Sequence, residues 1–164
     1  MKTKIFAKVM ASVFIITLSL YSAVYAATIS AVKETYNEKE NRYTYIQLVK
    51  AEIDNMSIKA DRATWQPTEK QFSANGGVVL KISGISLQSS SVNIKEESGI
   101  ANLNGEVMFH IQGLTVNAGN ATYNENNSTI KFTGGVRISQ GGYKTPYNSA
   151  VYDISSGSFT ELVE

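Results

Sequence analysis

The chain is predicted to be all-β, an antiparallel sheet folded over on itself and assembled from repeats of two strands each. Three observations carry that expectation. The first is a repeat of 29 residues that keeps its register from about residue 34 to the C-terminus: Ala63, Val92, Ala121 and Ala150 share it, as do Trp65, Ile94, Tyr123 and Tyr152. Gly76, Gly105 and Gly134 follow the same step, and Thr35-Tyr36-Asn37-Glu38 recurs as Thr122-Tyr123-Asn124-Glu125 three repeats later. A fixed period of this length marks stacked supersecondary units, none of which can bury its apolar face alone. Second, apolar residues within each unit alternate with polar ones, the period of a strand with one wet face. Third, the segments are rich in Val, Ile, Thr, Tyr and Phe, and none has helical spacing.

Taken in order, the chain opens on residues 1–26, which read as a signal peptide. Lys2, Lys4 and Lys8 precede an uncharged apolar run, and Val24-Tyr25-Ala26 offers small residues where a signal peptidase cuts. Left uncut, residues 9–27 are just long enough to anchor in a bilayer. The remaining 27–164 form one domain. Its first copy is degenerate, with Tyr36, Tyr43, Tyr45, Val49, Ala51 and Ile53 alternating. The next has Met56, Ile58, Ala63 and Trp65, a turn around Pro67, then Phe72, Val78, Leu80 and Ile82. Ile85, Leu87, Val92 and Ile94 follow, with a turn at 95–99 and then Leu103, Val107, Phe109 and Ile111. The clearest copy places Leu114, Val116 and Ala118 in alternation, slips phase by one at Gly119-Asn120, and resumes with Ala121 and Tyr123. Such a slip turns the wrong face inward unless a bulge or corner corrects it, and Gly119 suits that corner. After a polar turn at 124–128 come Ile130, Phe132, Val136 and Ile138; a final partial copy holds Tyr147, Ala150, Tyr152 and Phe159.

Composition excludes much. Residues 27–164 carry twelve Lys and Arg against fourteen Asp and Glu, so nothing suggests nucleic acid as a partner. The chain has no cysteine, hence no disulfide framework and no thiolate chemistry. The single histidine, His110, alternates onto the wet face. No His/Cys cluster has metal-ligand spacing, and no cofactor is implied. Asp54, Asp61 and Asp153 are out of phase with one another, and Glu96-Glu97 lies in a turn; the paired, facing carboxylates that glycan cleavage requires are missing. The chain is read as no enzyme.

One stretch carries a resemblance. Ala121-x-Tyr123, a polar turn, and Ile130-Lys131-Phe132-Thr133-Gly134-Gly135-Val136-Arg137-Ile138-Ser139-Gln140-Gly141 resemble the repeat of the OstA/LptA family, I-x-F-x-G-N-V-x-V-x-Q-G. Gly135 stands where that family favours Asn, and the upstream copies are looser. The resemblance implies a β-jellyroll open at both ends, in the periplasm, that binds lipopolysaccharide acyl chains inside. It also implies LptC-like and LptD-like partners and head-to-tail self-association that bridges inner to outer membrane. The interior contacts it implies are Ile58, Leu80, Leu87, Ile94, Leu103, Phe109, Val116, Tyr123, Phe132, Val136 and Ile138. Small residues at Ala60, Ala63, Ala74, Ala101, Ala118, Ala121 and Ala150 would leave room for lipid. Two alternatives stand beside this reading. One is an LptC-like form tethered by an uncut N-terminal segment, receiving lipopolysaccharide from an inner-membrane transporter; the other is a structural β-solenoid with a dry core.

Overall fold

The computed structural model describes residues 27–161; the segment read as a signal peptide lies outside the described residues. Alternating apolar positions produce strands throughout: β1 (Thr28–Ser30), β2 (Lys33–Asn37), β3 (Arg42–Ile53), β4 (Met56–Gln66), β5 (Gln71–Ile82) and β6 (Ile85–Lys95). They continue as β7 (Ile100–Ile111), β8 (Leu114–Asn124), β9 (Thr129–Gln140), β10 (Tyr143–Asp153) and β11 (Ser158–Glu161). All eleven belong to one sheet in which β3 to β11 pair antiparallel with their sequence neighbours, while β1 and β2 both lie along β3. The sheet does not close into a barrel. No described helix is long and apolar enough to cross a membrane.

The 29-residue period is a period of turns and corners. At one end of the strands lie two-residue turns, Asp54-Asn55, Ser83-Gly84, Gln112-Gly113 and Gly141-Gly142. Ser83 and Gly84 have φ of +47° and +82°, and Gln112 and Gly113 +42° and +80°. Those left-handed pairs match the twist of a hairpin, and glycine adopts them without a Cβ clash. At the other end lie four-residue turns, at 38–41, 67–70, 96–99, 125–128 and 154–157. The later ones stack: Glu96 N donates to Lys70 O (3.1 Å), Glu125 N to Gly99 O (2.9 Å) and Ile154 N to Ser128 O (2.9 Å). Position 67 is Pro, which has no N–H to continue the column towards 38–41.

Each long strand bends midway, where register shifts. On β7, Gly105 and Glu106 stand opposite the single residue Gly119 of β8, between the pairs Asn104↔Asn120 and Val107↔Ala118. The same two-against-one bulge recurs on β3, β5 and β9. The phase slip at Gly119 is therefore corrected by a corner. The left-handed residues, however, are the bulge partners, Gly134 (φ +81°) and Gly135 (+70°) rather than Gly119. Gly119 is small for another reason: a Cβ there would lie 3.0 Å from the carbonyl oxygen of Gly134.

The corners divide the sheet into a half bounded by the two-residue turns (the short-turn half) and one bounded by the four-residue turns (the long-turn half). They fold towards each other and enclose one apolar interior that runs from Tyr45 to Tyr152.

Candidate functional site

The interior is the candidate site. Of the eleven positions expected inside, Ile58, Leu80, Leu87, Ile94, Leu103, Phe109, Val116, Tyr123, Phe132 and Val136 are buried, and Ile138 is partly buried against the same cluster. Lys131, the neighbour of Phe132, faces solvent, as does His110, whose Nδ1 lies 2.9 Å from Thr115 Oγ1 on the outer surface. The inward and outward assignment made from alternation is that of the structure.

The alanines do not leave the room expected of them. Ala101 pairs opposite Tyr123, Ala121 opposite Leu103 and Phe132, Ala150 opposite Phe132, and Ala63 opposite Tyr45. Each accommodates a bulky neighbour across the ladder, so the middle of the roll is close-packed.

Contacts across the interior reveal how the halves are offset. Phe109, on the short-turn half of β7, packs on Phe132 (centroids 5.5 Å) and Tyr152 (5.1 Å), which belong to the long-turn half of β9 and β10. Phe159 of β11 completes this cluster at 4.8 Å from Tyr152. Asn55, in the first two-residue turn, donates from Nδ2 to the Tyr123 hydroxyl of β8 (3.1 Å). A short-turn half thus covers long-turn residues that come later in the chain, as a twisted sheet folded over itself requires.

That offset leaves each half uncovered at one end. Towards the N-terminus the exposed inner face is the long-turn half, where Tyr43 and Trp65 are only partly buried and Tyr36 is 48% exposed. Tyr36 and Tyr43 stack with ring centroids 4.6 Å apart. Towards the C-terminus it is the short-turn half, where Ile111, Leu114, Ile138 and Tyr147 are partly buried and Tyr143 is 83% exposed. Ile138, towards the C-terminal end of the short-turn half, is less buried than expected. Sequence reasoning missed these end residues as a group; their inward phase was visible, but the offset that uncovers them depends on twist.

Where the two rows of turns meet, the seam is acidic. Loss of solvent, and then the charge of Glu125, hold the Asp54 carboxyl above the ordinary range. Glu96 is raised by loss of solvent and then by Asp54, partly offset by Lys70. Burial raises the Tyr123 hydroxyl, opposed by the hydrogen bond from Asn55 and reinforced by Glu125 and Asp54. Among the described residues no group of three or more His, Cys, Asp or Glu is arranged to hold a metal ion.

No family model and no curated protein sequence matches the chain. Among solved structures, it is similar to LptH from Pseudomonas aeruginosa, described as the LptA-homologous periplasmic component of the conserved lipopolysaccharide transport device. The TM-score is 0.57 at 14% identity, over 65% of this chain and 80% of LptH. The fold is that of an LptA-like β-jellyroll, all antiparallel and unclosed.

Proposed function

We propose that this chain is a non-enzymatic, lipid-binding component of lipopolysaccharide transport that works in the periplasm and holds acyl chains against the interior of the roll. The observation that carries this reading is an apolar interior closed in the middle and uncovered at both ends on opposite half-sheets. An acyl chain contributes about 0.8 kcal/mol per CH₂ buried, so a lipid wholly enclosed would not be released again. An open half-face holds part of the chains and lets them move on. Splaying of the two halves then admits them towards Phe109, Tyr123 and Phe132.

The two ends also complement one another. The N-terminal end presents a long-turn half without its cover, and the C-terminal end a short-turn half without its cover. A second copy, or an LptC-like or LptD-like jellyroll, set head to tail supplies both at once. Edge strands are available for it: β11 pairs only with residues 150–153 of β10, so among the described residues 143–147 have no strand on their outer side. Such edges template strand addition. The likeness to LptH supports this reading through the fold.

The test is mass spectrometry for lipid co-purified from the native envelope, together with photo-crosslinking of labelled lipopolysaccharide. Capture is expected from Trp65, Phe109, Phe132 and Ile138 and not from Lys131. No lipid and no capture at any inward position would leave a structural scaffold. N-terminal sequencing of the exported protein separates the cleaved carrier from a tethered, LptC-like form.

A further inference from the structure

The first copy of the repeat departs from the later ones at an inward position. Ala63, Val92, Ala121 and Ala150 share one step of the 29-residue register, and all four are buried. The same step in the first copy is Glu34, on β2. Glu34 pairs directly with Tyr45 of β3, and residues opposed in this way project from the same side of a sheet. Tyr45 belongs to the core, so Glu34 is on the inner face, yet it is exposed. Among the described residues Glu34 is in no ion pair; the two pairs, Arg42–Glu40 and Lys70–Glu97, lie at the four-residue turns. Burial, and then the charge of Glu34, hold the Tyr45 hydroxyl above its ordinary range.

Aromatic rings flank that carboxylate. Tyr36, Tyr43 and Trp65 are opposed in turn across β2, β3 and β4, and so form one row of the inner face. The ring centroids of Tyr36 and Tyr43 are 4.6 Å apart, and those of Tyr43 and Tyr45 6.5 Å. Tyr36 is 48% exposed, while Tyr43 and Trp65 are partly buried. Glu34 is two residues from Tyr36 on the same face, about 7 Å along the strand, and its Cβ is about 5 Å across from that of Tyr45. A cation that meets the carboxylate is then within reach of the rings, whose faces attract positive charge within about 6 Å. An acyl chain has no use for the carboxylate, and a neutral sugar gains nothing from its charge. An inward charge on an edge strand can also serve only to prevent pairing with another sheet, but that role does not call for the rings.

From an inward carboxylate that no cation offsets, flanked by accessible rings, we infer that the N-terminal end of the long-turn half binds an organic ammonium group. The carboxylate supplies the opposite charge, and the rings supply a surface on which an alkylammonium sits without losing favourable electrostatics. The ammonium is that of a lipid headgroup or of a small free amine. The site uses none of Phe109, Tyr123 and Phe132, and stands whether or not the roll carries acyl chains.

Trp65 is the only tryptophan, so its fluorescence reports on this row. The experiment follows that signal in the purified protein during titration with tetramethylammonium chloride, against sodium chloride at equal ionic strength and against neutral tert-butanol. A saturable response to tetramethylammonium alone is expected. Glu34→Gln should weaken it about fivefold, and Tyr36→Leu about three- to fivefold, whereas Tyr36→Phe should keep it. Glu52→Gln, the same change of charge on the outer face, should stay within about twofold. All four variants should melt with the parent, because the positions are exposed. Glucosamine should bind more tightly than N-acetylglucosamine at about pH 6, where its amine is protonated. Dioctanoyl phosphatidylethanolamine that binds more tightly than phosphoethanolamine identifies a lipid headgroup as the source of the ammonium; equal binding identifies the free amine. The inference is overturned by an equal response to tert-butanol, by no saturable response, or by equal binding of the two sugars, which would make the row a sugar platform. It also fails if Glu34→Gln self-associates while binding is unchanged, which would leave the carboxylate as protection of an edge strand.

Discussion

The middle of the roll and its two ends are made from the same repeat, yet only the middle is sealed. In the middle, Phe109, Phe132 and Tyr152 meet from opposite halves, with Leu80, Ile94 and Leu103 fully buried around them. At the ends, residues in the same inward phase, such as Tyr36 and Tyr143, stand in solvent because the opposing half has slid past them. Inward phase is a property of one strand, whereas burial needs two half-sheets. A repeat protein of this shape therefore has a sealed centre and two uncovered ends without any change of motif.

Substitution should separate the two regions, and the largest effect belongs to the centre. Phe132→Asp places an unpaired charge among Phe109, Tyr152 and Phe159; a loss of roughly 4 kcal/mol or more is expected, enough to abolish cooperative unfolding in urea. Lys131→Asp, one residue away and outward, should change stability by no more than about 0.5 kcal/mol. Comparable costs at the two sites would invalidate the assignment of faces. The ends should then prove softer. Phe109→Ala is expected to cost about 3–5 kcal/mol, and Ile138→Ala no more than about 2, since its site is already part solvent. An Ile138→Ala cost as high as the central one would mean that another surface covers this end.

Most of the architecture was legible because its determinants are local. Alternation placed Ile58, Leu80, Phe109 and Phe132 inside, and the slip at Gly119-Asn120 announced a bulge, although the left-handed residues of that corner are Gly134 and Gly135 rather than Gly119. The first copy was harder to read because Gln47 and Leu48 occupy the left-handed corner positions that later copies fill with Gly76 and Gly77 or Gly134 and Gly135. What could not be read is the relation between halves. The Asn55 to Tyr123 hydrogen bond joins residues 68 positions apart, outside the 29-residue register, and only the accumulated twist brings them together. The alanines illustrate the same limit. Their smallness was visible, but not that Tyr123, Phe132 and Tyr45 would fill the space opposite.

The seam tests that twist directly. Tyr123→Phe removes the partner of Asn55 and keeps the ring in place. A loss of about 1 kcal/mol is expected, with faster amide exchange confined to the first two-residue turn and the end of β8. Exchange that rises evenly along the sheet would show that this bond does not hold the two rows of turns together.

The smallest effect concerns the carboxylates along the seam, and its sign is fixed by the direction of their shifts. Asp54 and Glu96 both titrate above the ordinary carboxylate range when folded. The folded protein therefore binds more protons than the unfolded chain across that interval. Their contribution to stability is fully present below the ordinary carboxylate pKa and is lost as pH rises through the raised values. Asp54→Asn should flatten that decline and raise stability at neutral pH by about 0.5 kcal/mol, the scale of a solvent-screened pair. An unchanged pH profile would remove Asp54 as the source of the repulsion. A raised melting temperature together with slower uptake of lipid would mean that the repulsion at neutral pH is what loosens the closed middle, so that the stable centre and the accessible ends are set against each other by charge as well as by twist.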